Sequence, residues 1–276
     1  MIRDITIGQY YPKESAIHKL DPRTKLIGTV AYIVSMFCYQ RFFGFFITIV
    51  FFSMVIKISK IPFSYIGKGL KPIAMLLIFT MLLNALFSTG TSLFQWGIIN
   101  ITVEGIRNAI FMGVRLALLV FGASMLTFTT TPNNLTDGLE RLFGFLNKIH
   151  VPVHEIAMMM SIALRFIPIL LEETDKIMKA QLARGADFEN GNLIKRAKSL
   201  VPLLVPLFIS AFRRANDLAM AMEARCYRGG EGRTKMKPLK YQREDYIAFG
   251  IIVVYLVVLY GAIRFVPSLW TILVYR

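Results

Sequence analysis

IRNAIFMGVRLALLVFGASMLTF, residues 106–128, carries only two charges, Arg107 and Arg115, and is otherwise built for an apolar surrounding. A helix needs about 20 apolar residues to cross a bilayer, and this run is long enough. Similar runs flank it at 26–39, 42–56, 70–87 and, near the C-terminus, 246–266. The first two are short, but Lys25, Lys57 and Lys60 at their ends can snorkel and lengthen the usable span. Gln40 and Arg41 separate them and predict the tip of a helical hairpin. Residues 88–100 read as a Gly/Ser/Thr-rich loop with Trp96 at the interface.

The whole chain agrees with this reading. It has 276 residues, 55% of them hydrophobic, and a mean hydropathy of +0.55, which excludes an ordinary soluble domain. The expected fold is all-α and polytopic, with about five transmembrane helices. Residues 1–128 supply membrane helices one to four, 129–245 a polar region, and 246–276 the last membrane helix. Residues 1–25 are polar and lack the apolar core of a cleavable signal. Cys38 and Cys226 read as free thiols on a reducing side.

The net charge of +15 has two readings. Nucleic-acid binding would need a basic motif interleaved with aromatics, and none is present, so no nucleic acid is expected. The other reading is Lys/Arg bias across a membrane. Residues 1–25 hold five Lys and Arg, 57–71 hold four, and 129–245 hold eighteen. The opposite side holds Arg41, Arg264 and Arg276. The bias places the N-terminus and 129–245 in the cytoplasm of a multi-pass cell-membrane protein, and five spans satisfy that parity. Arg115, near mid-span, reads as an anchor among helices, since no intramembrane acid is at hand. Glu104 and Arg107 are spaced to pair.

In the polar region, Asn133 or Asn134 can cap a helix whose Leu135, Leu139, Leu142, Phe143 and Leu146 share one face. It is expected at the membrane surface or under the bundle. Residues 153–171 are strongly apolar and include Met158, Met159 and Met160. Arg165 and Pro168 are read as interrupting a sixth span, so this helix is expected beneath the membrane domain. An amphipathic pattern follows from Pro168 and closes at Ala183-Arg184-Gly185. A second, from about Pro206, carries Phe208, Ala211, Phe212, Ala215, Leu218, Ala219 and Met222 as a stripe and closes at Ala224-Arg225-Cys226. Its alanines allow close helix approach. The two triplets recur forty-one residues apart (184 to 225). Guanidinium is always charged and presents a fork of donors, so two such helix ends suit a two-fold partner.

Other chemistries find little support. Arg228-Gly229-Gly230-Glu231-Gly232 lacks the Lys-Ser/Thr ending of a phosphate loop and reads as a flexible linker. The basic run 233–243 suits anionic lipid. His18, His150 and His154 are scattered, and His154-Glu155 has no second histidine at metal-binding spacing. No catalytic residue, metal site or cofactor is expected in this chain.

In order along the chain stand His18-Lys19-Leu20-Asp21-Pro22-Arg23-Thr24-Lys25, then Glu155-Ile156-Ala157 with Ala163-Leu164-Arg165-Phe166-Ile167-Pro168, then the two Ala-Arg triplets. On these motifs the chain resembles the transmembrane T component of energy-coupling factor (ECF) transporters, prokaryotic vitamin and metal importers. The second triplet departs in ending with Cys226, not glycine. The resemblance implies a coupling subunit of an ABC-type importer. Two cytoplasmic ATPases, which bind the ATP, would receive Arg184 and Arg225 in their grooves. A membrane S component would capture the vitamin or micronutrient, with Met158, Met159 and Met160 as weaker contact candidates. The competing classes are a self-sufficient secondary transporter, which would show midplane polar sites and inverted repeats, and a membrane enzyme, which would need clustered ligands.

Overall fold

The computed structural model describes residues 10–39, 42–87, 91–96, 99–186, 188, 192, 194, 198–230, 236 and 238–265. Nine helices are described: α1 (Ala16–Lys19), α2 (Pro22–Phe37), α3 (Phe42–Ser59), α4 (Phe63–Phe87), α5 (Val103–Thr129), α6 (Pro132–Phe143), α7 (Val153–Ala183), α8 (Val201–Ala224) and α9 (Arg243–Phe265). A 3₁₀ segment, Gly144–Ile149, follows α6. The expected loop at 88–100 contains most of an antiparallel hairpin of two short strands, β1 (Ser92–Trp96) and β2 (Ile99–Thr102). The rest of the regular structure is helical, as an all-α membrane protein requires, because helices satisfy their own backbone polar groups in lipid. The expected hairpin tip at Gln40 and Arg41 lies outside the described residues.

Three helices, Val103–Thr129, Val153–Ala183 and Arg243–Ala262, are long and apolar enough to cross a membrane, and Phe43–Ser59 and Ile73–Phe87 are shorter apolar helices. The chain is thus a multi-pass membrane protein. Three expectations need correction. Arg165 and Pro168 do not interrupt α7, which runs unbroken for 31 residues. Proline deletes only one i→i−4 bond, and the turns on either side keep the helix going. By length and composition α7 qualifies as a span, which the sequence reading had excluded. Secondly, α6 is capped not by an asparagine but by Thr131, whose Oγ1 accepts from Asn134 N at 3.4 Å, with Pro132 opening the helix. Thirdly, α8 starts at Val201 and carries Pro206 inside it.

The chain divides into two compact units. One, here the bundle unit, comprises Gly8–Gly138 and Leu239–Arg276; the other comprises Leu139–Pro238 with Met1–Ile7.

The bundle unit is packed through small residues and aromatics. At Gly122 an added Cβ would clash with the Tyr32 ring, so only glycine lets α2 and α5 approach this closely. The Tyr32 hydroxyl then donates to Leu118 O at 3.0 Å. Phe51 stacks on Tyr255 at 4.2 Å between centroids. The Tyr255 hydroxyl lies 3.0 Å from Ser35 Oγ and 3.2 Å from Thr48 Oγ1, tying α9 to α2 and α3. Thr48 Oγ1 also meets the Tyr39 hydroxyl at 2.7 Å. Arg115 Nη2 donates to Tyr39 O at 2.7 Å, at the end of α2. That contact makes Arg115 a link between α5 and the end of α2, as the anchor reading expects. Glu104 binds Thr91 N at 2.8 Å, so its carboxylate holds the connection before α5.

Candidate functional site

The second unit is built on α7 and α8. Gln181 Nε2 donates to Pro202 O at 3.3 Å, and Arg214 Nη2 meets Glu173 Oε2 at 3.1 Å. The first contact joins the end of α7 to the start of α8; the second lies further back on α7 and further on along α8. The helices therefore run antiparallel. Beyond α8 the chain returns to the start of α7, where Gly230 is pressed on His154: an added Cβ there would clash with the imidazole. Gly230 of the expected linker 228–232 thus packs on His154; residues 231–235 lie outside the described residues. His154 Nδ1 is in turn 2.9 Å from Glu140 Oε1.

This antiparallel arrangement sends the two triplets to opposite ends of the pair. Arg184 sits by the start of α8, and Arg225 sits by the start of α7. At 1.5 Å per residue the two guanidiniums are separated by on the order of 35–45 Å. Both side chains are exposed. Among the described residues neither has an ion-pair partner.

The two ends share one backbone geometry. Gly185 N donates to Leu182 O at 2.9 Å and Ala186 N to Gln181 O at 3.0 Å. Cys226 N donates to Glu223 O at 2.8 Å and Tyr227 N to Met222 O at 3.0 Å. Each is a Schellman ending, in which the two residues after the cap bond back to the last turn. Each places its arginine at the cap and the third triplet residue in the left-handed region, Gly185 at φ 89° and Cys226 at φ 56°. A side chain in that region costs about 1–2 kcal/mol, so Cys226 carries strain that Gly185 does not. The ending that the second triplet shares with the first survives its departure at Cys226, with that strain. Ala183 and Ala224, the last helical residues, are both exposed, so each arginine stands on an unencumbered end.

The apolar faces of the pair are largely uncovered. Phe208 is 62% and Phe212 67% exposed on α8. Met159 and Met160 are exposed on α7 and Met158 is partly so. Within α7 and α8 only Val153, Ala157 and Leu203 are buried.

In the bundle unit the N-terminal motif forms a buried knot that sequence reasoning quoted but did not explain. Asp21 caps α2 through Arg23 N at 2.9 Å, and its carboxylate takes Arg23 Nε at 3.0 Å and Nη2 at 2.8 Å. Burial pushes the Asp21 carboxyl up, but the hydrogen bonds and charge of Arg23 outweigh it and hold the group below its ordinary range. Asp245, 1% exposed at the start of α9, accepts Asp21 N and Gln242 N, both at 2.8 Å. Lys25 Nζ donates to His18 O at 3.0 Å and Thr129 O at 2.8 Å. Asp245 was missed because no periodicity marks it. The only signal was a carboxylate beside an apolar run.

Among the described residues no group of three or more His, Cys, Asp or Glu could hold a metal ion.

Residues 13–236 match the family model described as cobalt transport protein, CbiQ. Three relatives are each called energy-coupling factor transporter transmembrane protein EcfT. The chain is 58% identical to that of Clostridium kluyveri over 90% of this chain and 93% of the relative. It is 55% identical to that of Ruminiclostridium cellulolyticum, over 93% and 96%. It is 48% identical to that of Bacillus subtilis, over 89% and 93%.

Proposed function

The chain belongs to the CbiQ/EcfT family of ECF transporter transmembrane components, and from that premise we propose that it is a non-catalytic coupling subunit. Two cytoplasmic ABC-type ATPases bind ATP and receive Arg184 and Arg225, one each. A membrane S component captures a vitamin or other micronutrient. Closure of the ATPases moves α7 and α8, and the motion reorients the S component. On this reading α7, although long and apolar enough to span, lies with α8 on the cytoplasmic side of the cell membrane, because Arg184 and Arg225 at opposite ends of the pair must both reach cytoplasmic partners. The N-terminus lies on the same side.

The observation that carries this reading is the pair of exposed arginines. Each stands on the same helix ending, and they occupy opposite ends of one antiparallel pair. Two similar partners can thus be gripped at once by a single chain. The uncovered Phe208, Phe212, Met159 and Met160 give the S component an apolar surface, and methionine tolerates a contact that shifts.

The test is a pull-down from native membranes with Arg184→Ala, Arg225→Ala and the double variant. The double variant is expected to lose co-purified ATPases by more than tenfold and each single variant to lose part. Undiminished capture by the double variant overturns the proposal. So does substrate uptake by this chain alone in liposomes.

A further inference from the structure

The chain leaves the bundle unit after Gly138 and re-enters it at Leu239. Both crossings are held at one place within that unit. On the outgoing side, an added Cβ at Gly138 would lie 2.9 Å from Pro22 Cβ and 3.3 Å from Leu26 Cδ1, so α6 is seated directly on the first turns of α2. Just upstream, Thr129 O accepts Lys25 Nζ and Phe128 O accepts Tyr11 N at 2.9 Å. On the returning side, the Arg23 guanidinium lies 3.9 Å above the Tyr241 ring. Asp245 then binds Asp21 N, which locks the start of α9. Three side chains of one octapeptide, Pro22, Arg23 and Lys25, and the backbone N–H of Asp21 therefore hold both covalent connections.

A satisfied N-cap with one ion pair would explain Asp21 and Arg23 alone. It would not explain why two further bonds of the same segment reach 104 and 224 residues away in sequence, to Thr129 ahead of one crossing and to Asp245 just after the other. Nor would it explain a buried carboxylate on α9 that, among the described residues, accepts from two backbone N–H groups. A buried charge satisfied by backbone donors is stiff, because those donors cannot rotate away.

We propose that residues 18–25 with Asp245 form an anchor for force: the point at which pull on either connection to α7 and α8 enters the membrane helices. This rests on the coupling function proposed above. Arg23 and Asp245 are then positioning residues for transport. Without the anchor the two connections slacken, and motion of α7 and α8 is absorbed locally.

The experiment uses the complete complex isolated from native membranes and reconstituted in liposomes. ATP hydrolysis is measured beside uptake of radiolabelled probes, a panel of water-soluble vitamins and cobalt ion. Arg23→Gln and Asp245→Asn are expected to keep ATPase capture and hydrolysis within about twofold while uptake falls by about tenfold. Arg23→Lys, which keeps charge but not the bidentate fork, is expected to fall between. Uptake and hydrolysis falling together would show a merely structural knot and overturn the proposal, as would unchanged uptake. Should either variant fail to assemble, Tyr241→Leu removes one contact at the rim and leaves the Asp21 and Asp245 bonds intact. It is expected to halve uptake per ATP, and no change there overturns the proposal. A wild-type complex without ATPases, or without uptake of any probe, defeats the underlying coupling function instead, and that arm shows it alone.

Discussion

The bundle unit hides its polar groups and shows apolar ones, whereas the α7–α8 unit leaves both kinds in the open. In the first, Asp21, Thr24, Thr48 and Asp245 are buried, while Val34, Phe46 and Val254 face outward, where lipid supplies the missing contact. In the second, Glu173 and Arg214 pair at a partly exposed site, and Phe208 and Phe212 stand uncovered beside them. Apolar exposure on a bilayer-spanning helix needs no protein partner. On a helix pair whose faces also carry ions and whose ends carry exposed arginines, it fits the proposed docking of partner proteins. On the proposed function, the bundle unit owes its stability to its own contacts and the α7–α8 unit gains part of its stability in the complex.

Three substitutions put this difference to the test. Asp245→Ala orphans the buried Asp21 N–H and frees the more exposed Gln242 N–H, and is expected to destabilise the bundle unit by about 1–3 kcal/mol. A drop in the thermal unfolding midpoint of the purified chain measures it, and a midpoint unchanged within error would dissolve the contrast. Cys226→Gly removes a side chain from the left-handed region and should stabilise the end of α8 by about 1 kcal/mol. Hydrogen exchange at the Tyr227 amide reads this directly, with slower exchange expected. Arg214→Ala breaks the exposed pair with Glu173 and should cost only about 0–1 kcal/mol in the isolated chain. A loss as large as that of Asp245→Ala would mean that the α7–α8 unit is as self-sufficient as the bundle.

The transmembrane helices were legible wherever apolar length sufficed: the run at 106–128 lies within α5, and that at 246–266 nearly coincides with α9. The arginine triplets were legible as helix ends, because Gly185 is a local signal for a left-handed cap. The continuity of α7 was not, since Pro168 and Arg165 argue locally for a break and only the surrounding turns override them. The seat of Gly138 on Pro22 was invisible for another reason. A glycine within a helix looks like a weak point until the neighbour that needs its bare Cα is known. Asp245 and Asp21 are 224 residues apart, and no local pattern can report such a pairing.

The left-handed Cys226 places a native thiol one residue beyond Arg225, exposed to solvent. Cys38, the other exposed thiol, lies at the end of α2. Replacing Cys38 with serine would leave Cys226 as the single site for a fluorophore. A dye there would sit where one ATPase is proposed to dock, and its emission would follow each docking and release without any residue being added to the chain.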